Sequence, residues 1–103
     1  MFSIFSKKRK EKNRVLELHG MAIKYVTERR ADNDDVVGRG GSLSIREGSL
    51  IVFASSEIVF RCAVDQVKTG QLLSGDGVVI EGADAEHGGV HRKLIAYYVY
   101  HRK

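Results

Sequence analysis

The stretch that decides the fold is "LSIREGSLIVFASSEIVFRC", which runs from Leu43 to Cys62. Apolar residues recur at every second position, as at Leu43/Ile45 and Leu50/Val52, and these short runs are interrupted at Glu47-Gly48 and at "ASSE" (54–57). Short alternating runs joined by such polar corners are typical of antiparallel hairpins, because glycine accepts a positive φ without steric cost. We therefore predict strands at 43–46, 49–54 and 57–63.

The same pattern continues on both sides of this stretch. Turns at "SGDG" (74–77) and a loop at "EGADAEHGG" (81–89) separate further apolar runs. Residues 18–26 also fit helical spacing, but their β-branched and aromatic residues and Gly20 favour a strand. The acidic, glycine-containing segment "RADNDDVVGRGG" (30–41) is predicted to be a long loop. The remaining predicted strands are 21–29, 67–73, 77–82 and 91–100.

These elements predict an all-β domain over residues 15–103, built as one antiparallel bent sheet or a partly open barrel. Residues 1–14 are predicted to be a flexible basic lead, with a short helix as the alternative. In "EIVFRC" the alternation places Cys62 beside Ile58 and Phe60, which predicts that this cysteine lies in the core.

The last predicted strand is apolar on both of its faces. In "KLIAYYVYHRK" (93–103), leucine, alanine and tyrosine alternate with isoleucine, tyrosine and valine. A strand wetted on one side would alternate with polar residues. The strand is therefore covered on both sides within the fold, or one face is closed by a second copy or another partner. Tyr97, Tyr98 and Tyr100 are the interface candidates for a homodimer.

Composition limits the classes of protein to which this chain can belong. One hundred and three residues make one domain, and a single cysteine excludes an internal disulfide framework, which suggests a cytoplasmic protein. No run reaches the roughly 20 apolar residues of a transmembrane helix. The net charge is +6 over residues 1–31, −6 over 32–91 and +4 over 92–103. An anionic partner would therefore meet the two ends of the chain.

Residues 41–72 resemble the middle of a pleckstrin-homology-like or GRAM-like small bacterial domain. The likeness lies in the order "LSI", turn, "LIVF", "IVFRC" and then the short element "AVDQV" before the next strand. The resemblance implies a seven-stranded bent sheet that binds lipid headgroups, peptides or other domains. Such domains close one end with a C-terminal helix, whereas the last predicted element here is a strand.

No arrangement of acid, base and nucleophile is recognisable, so we do not expect an enzyme, and no cofactor is implied. His87 and His91 are four residues apart and are weak candidates for a metal site, because Gly88-Gly89 argues against the helix that would align them. The acidic run at 32–35 lacks the calcium-loop pattern, since Val36 and Val37 stand where a ligand and a glycine are required.

The amino-terminal segment carries the most suggestive pattern. Its apolar start is followed by a polybasic run, a combination that can bind an anionic bilayer surface. The sequence therefore predicts a non-enzymatic binding or scaffold module for a protein or lipid surface, cytoplasmic and peripheral at the membrane. The alternatives are a small nucleic-acid-binding β-barrel that uses its basic termini and a homo-oligomeric structural protein. The membrane or anion contacts are predicted at Phe2, Phe5, Lys7, Lys8, Arg9 and Lys10.

Overall fold

The computed structural model describes residues 15–30 and 33–99. Within these residues the protein is all-β, with one seven-stranded antiparallel sheet, a helical turn at Val15 and Leu16, and a 3-10 turn at Ala85–His87. The strands lie across the sheet in the order β4-β3-β2-β1-β7-β6-β5. Their bounds are β1 Ala22–Arg29, β2 Asp34–Arg46, β3 Ser49–Ala54, β4 Glu57–Ala63, β5 Lys68–Gln71, β6 Gly77–Asp84 and β7 Val90–Tyr98.

The predicted hairpins are confirmed. β2, β3 and β4 form a meander, and both residues of each corner have positive φ, at Glu47-Gly48 and at Ser55-Ser56. Two-residue corners of this kind match the right-handed twist of the strands they join. The choice of a strand over a helix for residues 21–29 is also confirmed, since β1 pairs with both β2 and β7.

The prediction of a loop at 30–41 is wrong, because β2 begins at Asp34 and runs for 13 residues. Two of the three glycines that suggested a loop, Gly38 and Gly41, lie where β2 and β3 approach each other closely. A Cβ on Gly38 would come within 2.7 Å of the Ala54 Cβ, and one on Gly41 within 1.7 Å of the Phe53 carbonyl oxygen. The loop predicted at 81–89 is also shorter than expected, since β6 continues to Asp84.

The core fills the concave face of this curved sheet. Phe60, Leu43 and Ile80 are fully buried there, and Cys62 is 2% exposed, which confirms its predicted place in the core. A Cβ on Gly82 would come within 2.8 Å of the Cys62 sulfur, so β4 and β6 approach each other across the concave face. Burial raises the pKa of Cys62 and keeps it a thiol.

The sheet curls but does not close into a barrel, because β4 and β5 at its two ends are not paired with each other. The turn that precedes β1 covers part of the open side, with Val15 and Leu18 buried in the core. No helix among the described residues is long and apolar enough to span a bilayer.

β7 is buried on its core face and only partly buried on the other. It is a central strand, paired with β1 on one side and β6 on the other. Leu94 and Ala96 point into the core, while Ile95 lies on the opposite, convex face at 4% exposure. Ile95 pairs there with Thr27 of β1 and Val79 of β6. The convex side is not covered throughout, since Tyr97 is half-buried and Val99 is 37% exposed, so closure of this face by a second copy or another partner stays a prediction.

Candidate functional site

The two end strands of the sheet differ in how their backbone groups are used. An edge strand exposes unpaired N–H and C=O groups, which can template pairing with another chain unless they are covered. At β4 this edge is covered by side chains: the amide of Arg61 donates to Asp84 Oδ1 at 3.1 Å, and the carbonyl of Val59 accepts from Arg92 at 2.8 Å. Pairing by a further strand is blocked at this end of the sheet.

The side chains that cover β4 form a compact ionic cluster. Arg92 donates to both carboxylate oxygens of Glu28, at 2.9 and 3.0 Å, and to Asp84 Oδ2 at 2.6 Å. Asp84 is fully buried, whereas Arg92 and Glu28 side chains are 14% and 15% exposed. Asp84 also accepts from the amide of Glu86 and bonds the Nδ1 of His87 at 2.6 Å. The cluster thus joins β1, β4, β6 and β7 at one end of the sheet.

The cluster also holds its carboxylates in the ionised form. Burial alone would raise the pKa of Asp84, but the hydrogen bonds from Arg92, His87 and two backbone amides outweigh it and lower that pKa. The hydrogen bonds from Arg92 likewise lower the pKa of Glu28. Every acceptor is used within the protein, so we interpret this cluster as structural.

The lowered pKa values predict a loss of stability in acid. A carboxylate whose pKa is lower in the folded state stabilises the fold above its unfolded pKa, near 4. That contribution disappears as the pH falls through the folded value. We expect the free energy of unfolding, measured by urea denaturation, to fall from pH 5 towards pH 3. Asp84→Asn should flatten this dependence, and an equal slope in both proteins would contradict the assignment.

The other edge, on β5, is not paired with any strand among residues 15–30 and 33–99. The Leu72 amide donates to the Gly77 carbonyl at 2.9 Å. This bond shows which residues of β5 direct their backbone groups toward β6, because such residues alternate along the strand. In an antiparallel pair, alternate residues direct their backbone groups toward the partner strand. Lys68 and Gly70 therefore bond to β6, while the N–H and C=O groups of Thr69 and Gln71 point away from the sheet.

A cavity of about 450 Å³ lies directly beside this open edge. Apolar side chains from the turn before β1 and from β6 form part of its wall, and polar groups of β5 and β7 complete it. Gly70 leaves open space, since a Cβ there would meet nothing within 4 Å. The lining residues are Glu17, Leu18, Met21, Thr69, Gly70, Gln71, Val78 and Tyr98.

Tyr98 contributes a hydroxyl group to the wall of this cavity. Its hydroxyl accepts a hydrogen bond from Gln71 Nε2 at 2.8 Å, and its ring packs against the core. Burial raises the pKa of Tyr98, and the bond from Gln71 offsets only part of that effect. The hydroxyl therefore keeps its proton near neutral pH and can donate it to a carbonyl oxygen of a bound group.

The structure places the predicted site residues in different environments. His87 bonds Asp84, whereas His91 Nε2 bonds Glu81 at 2.8 Å, so the two histidines have separate partners. Within 15–30 and 33–99, no three histidine, cysteine or acidic side chains are grouped as metal ligands. Tyr97 faces the convex side of β7 and Tyr98 the core side, so they lie on opposite surfaces. Tyr100 and the amino-terminal candidates Phe2, Phe5, Lys7, Lys8, Arg9 and Lys10 lie outside the described residues.

Sequence reasoning did not identify the open edge or the ionic cluster. Thr69, Gln71 and Tyr98 belong to no motif, and Glu28 and Arg92 are 64 positions apart. Arg92 stands between His91 and Lys93, so its sequence surroundings give no sign of a buried role. No family model, curated protein or solved structure gave a significant match to this chain.

Proposed function

We propose that this protein is a non-enzymatic binding module that takes up an extended segment of a partner protein as an additional strand on β5. The observation that carries the proposal is the contrast between the two edges. The β4 edge is capped by Asp84 and Arg92, whereas no strand in the described part of the chain pairs with the β5 edge, which borders a cavity. Strand addition obtains affinity from the backbone ladder and specificity from pockets for alternate side chains.

The cavity suggests what the segment carries. Thr69 and Gln71 face the concave side, because their partners Ile80 and Val78 point into the core. A strand added beside them would direct alternate side chains to the same side, toward Met21 and Tyr98. Leu18, Met21 and Val78 offer contacts to a large apolar side chain, while Glu17 disfavours an acidic neighbour. We therefore propose an apolar, non-acidic extended segment as the ligand.

Features of β5 itself favour a foreign segment over a second copy. The strand has only four residues and begins with exposed Lys68, and short edges with lysine are typical protection against pairing of identical edges. The finer fold assignment, a pleckstrin-homology-like or GRAM-like domain, is also a proposal. It is supported by the number of strands and by the turn that buries Val15 and Leu18 over the open side. A cytoplasmic location with membrane contact through residues 1–14 is carried by the sequence alone.

Thr69→Pro tests strand addition without breaking the native ladder. Its amide points away from β6, so proline removes a donor only from the open edge, where proline is tolerated. Peptides selected from a random 12-residue phage-displayed library on the full chain should bind the Thr69→Pro variant at least tenfold more weakly by fluorescence anisotropy.

Thr69→Val is the matched control, because it keeps the amide and the approximate shape of the side chain. It should retain the affinity of the selected peptides to within about threefold, which corresponds to less than 1 kcal/mol. Urea denaturation of both variants checks that the sheet is intact. The proposal is wrong if the library yields no peptide, or if the selected peptides bind Thr69→Pro as well as the parent protein.

A further inference from the structure

The convex face of the sheet carries a band of apolar and aromatic side chains. This band lies on the face opposite to the cavity beside β5. One row crosses four strands through Val79, Ile95, Thr27 and Val36, paired in that order. Ile95 and Thr27 are 4% and 7% exposed, so the centre of the band is closely packed, while Val36 at its end is 46% exposed. This surface is therefore closely packed at its centre and contains no cavity there among the described residues.

Two tyrosines stand in the neighbouring row of the band. Tyr25 of β1 pairs directly with Tyr97 of β7, and their ring centroids are 4.7 Å apart with the planes tilted by 34°. Both rings are half-buried, since neighbouring side chains cover only part of each. Paired strands hold the two rings side by side on one surface, where a planar group can stack on them at little cost in side-chain entropy.

The charged side chains around the band are mainly positive, with one acid, Glu81, among them. Arg39 pairs with Tyr25, while Lys93 and Lys68 flank the band on β7 and β5. None of these three has a carboxylate oxygen within 4.0 Å among residues 15–30 and 33–99. The acid between the two lysines, Glu81, bonds His91 at 2.8 Å. Other acids of the body are engaged, in the pairs Asp34 with Arg29, Asp35 with Arg30, Glu28 and Asp84 with Arg92, and Glu86 with Arg61.

We propose that this convex face binds single-stranded nucleic acid, with bases stacked on Tyr25 and Tyr97 and phosphates near Arg39, Lys68 and Lys93. The net negative charge of residues 32–91 predicted that the body would not contact a polyanion. On this face the objection is weaker, because Arg39, Lys68 and Lys93 outnumber Glu81, the acid that lies among them. Aromatic rings beside unpaired cations fit a strand that presents planar bases and phosphates together. This surface lies on the opposite face of the sheet from the cavity beside β5, although Lys68 belongs to β5.

Binding of fluorescein-labelled dT20 to the full chain at 50 mM salt tests this. We expect saturable binding that weakens steeply as the salt concentration rises, because phosphate contacts release counterions. Tyr97→Ala should reduce the affinity by about tenfold to a hundredfold, the usual range for losing one stacked base. Tyr97→Phe keeps the ring and should restore most of that loss.

Two controls separate this face from other sources of binding. Phe53→Ala removes an exposed aromatic ring from β3, away from the tyrosine pair, and should leave binding unchanged. Inorganic polyphosphate has the charge without the bases and should compete poorly. The proposal is overturned if dT20 does not bind or if Tyr97→Ala binds dT20 as the parent does. It is also overturned if polyphosphate, or vesicles of phosphatidylserine and phosphatidylcholine, bind with the same dependence on Tyr97.

Discussion

Gly41→Ala is expected to prevent folding or to remove most of the stability of the domain. A Cβ at this position would lie 1.7 Å from the carbonyl oxygen of Phe53, 2.6 Å from its carbonyl carbon and 2.8 Å from the Ala54 Cα. All three are backbone atoms of β3, so no side-chain rotation can relieve the overlap. β2 and β3 would have to separate, and the ladder between them would break. We expect a loss of more than about 4 kcal/mol, at the extreme of single substitutions.

Gly70→Ala is the matched control for this experiment. Gly70 also lies within a strand, its φ is not positive, and a Cβ there would meet nothing within 4 Å. An alanine should be neutral, or stabilise the fold by up to about 1 kcal/mol through the unfolded chain. Urea denaturation monitored by circular dichroism compares the two variants with the parent protein. Equal stability of Gly41→Ala and Gly70→Ala would refute the close approach of β2 and β3.

Arg92→Met should lower the free energy of unfolding by about 3–5 kcal/mol, the usual cost of removing one partner from a buried ion pair. The change keeps much of the side-chain volume but leaves two carboxylates, Glu28 and fully buried Asp84, without their common counter-ion. It also frees the carbonyl of Val59 at the β4 edge. Among the described residues, Arg30 still lies within 4 Å of Glu28, and His87 still bonds Asp84.

Lys93→Met controls for the loss of a positive charge from β7. Lys93 is exposed on the convex face and makes no ion pair within the described part of the chain, so its loss should change stability by less than about 0.5 kcal/mol. Urea denaturation at pH 7 measures both variants. If Arg92→Met costs less than 1 kcal/mol, the ionic cluster does not hold the end of the sheet as we infer.

The hairpins could be predicted from the sequence because their signals are local. Short apolar runs, "LIVF" and "IVFRC", with corners at Glu47-Gly48 and Ser55-Ser56, are enough to define three strands. The sequence does not predict β2, because a glycine such as Gly38 or Gly41 can indicate either a loop or a close approach to a neighbouring strand. The difference between those roles depends on what lies opposite, which a single sequence does not reveal.

The candidate site could not be predicted, because an edge is a property of the strand order. Nothing in "VKTGQL" (67–72) distinguishes a strand with one neighbour from a strand with two. The cavity also combines Met21, Thr69 and Tyr98, which come from three distant parts of the chain. Tyr97 and Tyr98 were assigned to one interface, although adjacent residues of a strand point to opposite faces.

β7 also determines the order in which the protein can be assembled. It joins the meander of β1 to β4 with the hairpin of β5 and β6, and these two units share no ladder without it. Its contacts with β1 join residues as distant as Ile23 and Tyr98. During synthesis, the earlier strands would therefore leave the ribosome as two incomplete sheets, with the flanks of β1 and β6 unpaired. Such a chain can complete its sheet only when β7 has emerged, and until then the free flanks of β1 and β6 can pair with other chains.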